Sequence, residues 1–118
     1  MDNSLEIENL EASRDEILRK MKDIRSMKRG TINEQFLKTK RKDNKIVLNG
    51  PYFVLSRREG NKTVSKRIKK DDLDRARKDI EAYQQFISLC KEFEVLTERL
   101  GELEQQELDI EQEKKLHK

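Results

Sequence analysis

The sequence predicts an α+β chain. A long N-terminal helix and a longer C-terminal helix pair as an antiparallel coiled coil, with a small three-stranded antiparallel β-meander inserted between them. Three observations carry this prediction. Apolar residues recur at seam spacing towards both ends of the 118-residue chain. In the middle the period falls to two, with turn residues between the runs. Charge is segregated to match: residues 28–70 hold 14 Lys or Arg against Glu34, Asp43 and Glu59, a balance of +11, while the rest sums to −8.

The first helix is expected over 4–27. Asn3 is placed to cap it, with Glu6 reaching back as in a capping box. Ile7, Leu10, Ile17, Met21 and Ile24 form its stripe, Leu18 broadens it, and Arg14 interrupts one seam position. Lys28 and Arg29 suit the negative helix end, and Gly30 suits the left-handed position beyond it.

The meander is expected over 31–70. "EQFLKTKRK" and "KIVL" are joined at Asp43-Asn44, a good turn pair. "YFVLSRR" and "KTVSKRIK" are joined around Gly60-Asn61. Pro51 in "NGP" cannot donate to a ladder, so a bend or bulge is expected there. A two-residue turn at Gly60-Asn61 pairs Arg58 with Thr63 and Phe53 with Ile68. One face then carries Phe53, Leu55, Val64 and Ile68 with Arg57 and Lys66. The other carries Tyr52, Val54, Ser56, Arg58, Thr63, Ser65, Arg67 and Lys69. The first face suits burial against a helix, and the second is basic, hydroxyl-rich and open.

The last helix is expected over 71–115. Asp71 caps it, and Asp72 and Asp74 sit in its positive first turn. Leu73, Ala76, Ile80, Tyr83, Ile87 and Cys90 form one apolar series. Leu89, Phe93, Leu96, Leu100, Leu103 and Ile110 form a second, shifted in phase, with Glu107 at one seam position. The first half then packs on the sheet and the second on the other helix. Gly101 is a weak point, and the segment after Leu103 is expected to fray. Together these elements make a single elongated domain, 1–118. Two helices bury little, so a homodimer or partner is expected on the seam formed by Ile7, Leu10, Ile17, Met21, Ile24, Leu89, Phe93, Leu96, Leu100 and Leu103.

Composition narrows the functional classes. The chain is 33% hydrophobic and 43% charged, which suits solvated helices. It has no apolar run long enough to span a membrane, and its acidic opening lacks the apolar core of a signal peptide. The single cysteine, Cys90, reads as a small hydrophobe and fits a reducing cytoplasm. His117, the only histidine, offers no triad or zinc site. Asp71, Asp72 and Asp74 are explained by the helix start rather than by a metal. No Gly-rich phosphate loop is present, so no catalytic residue, metal or cofactor is expected, and the chain reads as a non-enzyme.

The basic meander is the functional candidate. Lysine and arginine gain free energy on nucleic acid by releasing counterions. The expected contacts are Lys38, Lys40, Arg41, Lys42, Lys45, Tyr52, Ser56, Arg57, Arg58, Lys62, Thr63, Ser65, Lys66, Arg67 and Lys69. DNA is favoured over structured RNA. The rival is a protein partner with an acidic surface.

Residues 28–90 also resemble a small family of uncharacterised bacterial and phage proteins. Arg29-Gly30, Gly50-Pro51-Tyr52, Ser56 to Gly60 and Lys62 to Ser65 carry the likeness, and Asn61 stands where that family often has glycine. The resemblance implies a phage or mobile-element setting, because some members are encoded beside transposase genes. The meander is also similar in outline to sheet-type DNA binders, namely the arm-binding domains of tyrosine recombinases and the plant AP2 domains. That likeness implies that Arg58, Ser65, Arg67 and Lys69 face DNA. The expected function is a non-enzymatic accessory protein that binds nucleic acid through its sheet and dimerises, or docks a nuclease, transposase or recombinase, through its helices. The alternative is an adaptor or inhibitor whose basic head fills a groove of such an enzyme.

Overall fold

A computed structural model describes residues 3–116. The elements run α1 (Ser4–Asp23), β1 (Thr31–Lys40), β2 (Ile46–Glu59), β3 (Lys62–Ile68), a 3-10 turn (Lys70–Asp72) and α2 (Leu73–Leu116). The α+β class and the order of elements match expectation. The chain divides into two compact units. One combines the residues up to Arg25 with those from Gln85 onward, and the other is Ser26–Gln84.

In the helical unit α1 runs antiparallel to the second half of α2. Asn3 meets Gln106 and Glu107, Glu6 meets Arg99, and Arg14 lies over the Phe93 ring at 5.8 Å. Ile17, Leu89, Leu100 and Leu103 are buried, and Ile7, Leu10, Met21, Ile24, Phe93 and Leu96 are half-buried. Each fully buried leucine or isoleucine contributes about 1.5–3 kcal/mol. Four of the ten residues expected at a dimer or partner interface are thus buried within one chain, and the other six keep part of their surface open. Arg14 does not break the stripe, because its guanidinium covers an aromatic face there.

Three expectations for this unit are corrected. The capping box does not form. Asn3 makes no side-chain cap bond; its Nδ2 donates to Gln106 Oε1 at 3.2 Å and its N–H to Glu107 Oε1 at 3.2 Å. Glu6 accepts from Arg99 Nε at 3.1 Å, so both residues of the box are recruited by α2. The first helix ends at Asp23 rather than 27, with Ile24 extended and its N–H on the Met21 carbonyl. The C-terminal segment, expected to fray after Leu103, continues as helix. It stays helical to Leu116, anchored by Leu103 at 1% exposure and supported by a Gln105–Asp109 hydrogen bond in a run of good helix formers. His117 lies outside the described residues.

In the sheet unit the three strands are antiparallel in the order β1-β2-β3. β2 pairs β3 with Arg58 opposite Thr63 and Phe53 opposite Ile68, the register expected from the two-residue turn. Between β1 and β2 the register shifts. Gln35 faces Tyr52 and Leu37 faces Asn49, so Phe36 alone opposes Gly50-Pro51. This is the bulge expected at the proline. The first turns of α2 cover one sheet face: Leu73 and Ala76 are buried, Phe53, Leu55 and Ile68 are half-buried, and Arg77 lies 6.0 Å from the Phe53 ring centre.

Three further expectations for this unit change. Val64, expected to hold the sheet on α2, is 42% exposed because it lies towards the Gly60 turn, beyond the residues that meet the helix. Asp71 does not cap α2. A 3-10 turn intervenes, with Asp72 N–H on the Lys69 carbonyl at 2.9 Å. Gly30 does not end a helix; it opens β1 at φ +133°, and a side chain there would meet the Ser56 carbonyl oxygen at 2.7 Å. The linker before it is held by Lys28 N–H on the Asp79 carbonyl at 2.9 Å.

Candidate nucleic-acid interface

A strand sends alternate side chains to opposite faces, so the register assigns every sheet residue to a face. Towards α2 point Ile32 and Glu34 of β1, Phe53, Leu55, Arg57 and Glu59 of β2, and Lys62, Val64, Lys66 and Ile68 of β3. Away from it, on the outer face, lie Thr31, Asn33 and Gln35, then Tyr52, Val54, Ser56 and Arg58, then Thr63, Ser65 and Arg67.

The division sorts charge as well as hydrophobicity. Both carboxylates of the paired region above the bulge, Glu34 and Glu59, fall on the helix side, and Glu59 pairs with Arg57 there. The outer face carries arginines, hydroxyls and amides and no carboxylate. Its centre is ordered. The Arg67 guanidinium lies 3.7 Å from the centre of the Tyr52 ring, a stacked cation–π contact. Ser56 Oγ and Ser65 Oγ sit 3.0 Å apart across β2 and β3.

The predicted contacts therefore separate. Tyr52, Ser56, Arg58, Thr63, Ser65 and Arg67 are brought together on the outer face, whereas Lys69 lies past the end of β3 and lines a cleft beside α2. Arg57, Lys62 and Lys66 are on the other side. Lys66 lines the same cleft, of about 390 Å³, with Lys28, Arg75 and two carboxylates, Asp72 and Asp79. Arg57 and Lys66 fall on the face that the two-residue register assigns to the helix, although both are among the expected contacts.

Lys38, Lys40, Arg41, Lys42 and Lys45 belong to a two-stranded arm, because β3 pairs only with Phe53–Glu59. In the arm Lys38 opposes Leu48 and Lys40 opposes Ile46. Phe36, Leu37, Ile46 and Leu48 are each more than half exposed. Its tip turns where expected: Asn44 takes φ 65°, and Asp43 Oδ1 accepts from Lys45 N–H at 3.2 Å.

Three outer-face residues escape the sequence reading. Thr31 and Asn33 do so because the first strand is expected to begin at "EQF", whereas it begins at Thr31; the alternation of Thr31, Ile32 and Asn33 directly after Gly30 is the signal for them. Gln35 lies inside the expected strand but carries no charge to mark it as a contact.

Among the described residues no group of three or more His, Cys, Asp or Glu is placed to hold a metal ion. A family model described as a domain of unknown function (DUF6788) matches residues 7–78, which takes in most of α1, the whole sheet and the start of α2. No curated protein and no solved structure matches the chain.

Proposed function

The chain belongs to the DUF6788 family, a domain of unknown function, and we propose that it is a non-enzymatic accessory protein that binds nucleic acid through the outer face of its sheet. The observation that carries this reading is the partition of charge. Sheet carboxylates would repel phosphates, and those flanking the three-stranded region lie on the helix side, leaving Arg58 and Arg67 without acidic neighbours across the sheet. Hydroxyls of Thr31, Ser56, Thr63 and Ser65 add donors suited to phosphate oxygens. DNA is the favoured partner. The mobile-element or phage setting rests on the resemblance of residues 28–90 alone. A cytoplasmic location is in keeping with one half-buried cysteine and with helices none of which, among the described residues, is long and apolar enough to cross a membrane.

The helical unit is the handle for dimerisation or for a larger nuclease, transposase or recombinase. Part of its seam is buried internally, so that contact falls on side chains still open, such as Val95 with the half-buried Leu96 beside Ala12 and Ser13. The second reading is an adaptor or inhibitor, and the arm favours it. Four exposed apolar residues among lysines suit a protein groove better than a phosphate backbone. Pull-downs from the native host with and without nuclease separate the two, because partners that survive nuclease treatment support the adaptor.

A salt titration of duplex binding tests the main reading. With about five phosphates contacted, log K falls against log salt with a slope of roughly −4.5. A flat titration, or no binding at low salt, removes it.

A further inference from the structure

We infer that the outer face reads the base edges of duplex DNA from the major groove, with Asn33, Gln35 and Arg67 as the reading side chains; this deepens the proposed nucleic-acid reading and rests on it. Three observations converge. The first is chemical. Asparagine and glutamine make bidentate contacts to adenine, and arginine makes them to guanine. Asn33 and Arg67 stand on the two outer strands of one cross-sheet row, with Val54 between them, and Gln35 shares the next row with Tyr52. Amides can also donate to phosphate oxygens, and the ratio of affinities for a selected and a scrambled duplex separates that role from base reading.

The second is availability. Asn33, Gln35 and Arg67 are exposed. Among the described residues neither amide side chain is hydrogen-bonded and Arg67 makes no ion pair. Arg67 is nevertheless held, because its guanidinium lies on the Tyr52 ring. Stacking occupies the flat face of the group and leaves its N–H edge free, so the bidentate donor is ordered before DNA arrives.

The third is dimension. Three strands spaced by about 4.8 Å span roughly 10 Å, against a B-DNA major groove about 12 Å wide. With strands running along the groove, residues i and i+2 on one face lie about 6.8 Å apart, close to two base-pair steps of about 3.4 Å. Asn33 and Gln35 then meet bases two steps apart. The major groove of an RNA duplex is too deep and narrow for side chains to read, which selects DNA.

Selection from a randomised duplex DNA library, followed by affinity measurement on the selected and a scrambled duplex, tests this. The intact protein is expected to enrich a motif with adenines two positions apart and a nearby guanine. Asn33→Ala and Gln35→Ala are each expected to relax preference at one adenine, and Arg67→Lys, which keeps the charge, at the guanine. Each lowers the selected-to-scrambled affinity ratio by between about 5- and 150-fold. Circular dichroism establishes that each variant is folded. Enrichment of no motif, or variants that leave the ratio unchanged, overturns base reading while leaving the nucleic-acid reading standing. Equal affinity for an RNA duplex of the selected sequence overturns the groove assignment. No binding to any duplex at low salt removes both.

Discussion

Gly30 marks the point where the linker becomes sheet, and its conformation is decided by what lies opposite. At φ +133° it lets the backbone run against β2, where a Cβ would sit 2.7 Å from the Ser56 carbonyl oxygen and 3.0 Å from Leu55. Gly30→Ala therefore combines backbone strain with a clash against a main-chain atom that cannot swing away. The expected cost is about 1–3 kcal/mol, measured as a lower midpoint of urea unfolding; an unchanged midpoint would show that the strand start yields freely. Asn3 and Glu6 illustrate the opposite situation. As residue types they fit a capping box, yet each bonds to α2. A local motif predicts local bonding only when no tertiary partner competes for the same atoms, and such partners cannot be read from spacing along the chain. Glu16 is the contrary case: Arg19, three residues further along the same helix, hydrogen-bonds it and keeps its carboxyl below the usual carboxylate range.

For whole elements, legibility followed how well apolar and polar residues were segregated. The β2–β3 faces were legible because an even-length turn collects Phe53, Leu55 and Ile68 on one face, whereas a three-residue loop moves Ile68 to the face of Tyr52 and Val54. The bulge was legible from Pro51, which has no N–H to give. The start of β1 was not, because Thr31-Ile32-Asn33 holds one apolar residue and follows a glycine that also suits a helix end. The end of α1 was misjudged for a related reason. Its apolar spacing reaches Ile24, whose N–H still bonds the Met21 carbonyl, but Ile24 itself is extended and Lys28 N–H goes to the Asp79 carbonyl. In α2 the phase shift placed the two packing regions correctly, while Ile87, expected inside, is 48% exposed at the changeover. Gly101 interrupts neither the helix nor its packing, and nothing lies within 4 Å of where its side chain would be. Gly101→Ala should therefore raise stability by about 0.5–1 kcal/mol, seen as a later loss of helical circular dichroism on heating. No gain would mean that the glycine serves a contact outside this chain.

Across the whole molecule, the sum of +3 conceals two surfaces of opposite character. The acidic residues decorate the helices, and the sheet unit concentrates the cations. The basic segment was legible in the sequence, and its register already set Arg57 and Lys66 apart, although all the sheet cations were counted as contacts. The fold separates them into an outer face, a helix-side cleft and an arm. Two readings of the same charge then diverge. If net charge alone attracts nucleic acid, any two cations of the sheet are equivalent. If the outer face is the contact surface, they are not. The direct measurement compares two double reversals of equal charge, Arg58→Glu with Arg67→Glu on the outer face and Lys62→Glu with Lys66→Glu on the helix side, by duplex affinity at low salt with helicity monitored. The outer-face pair is predicted to abolish binding with helicity intact, and the helix-side pair to retain it. Equal losses from both pairs would contradict the assignment of this face.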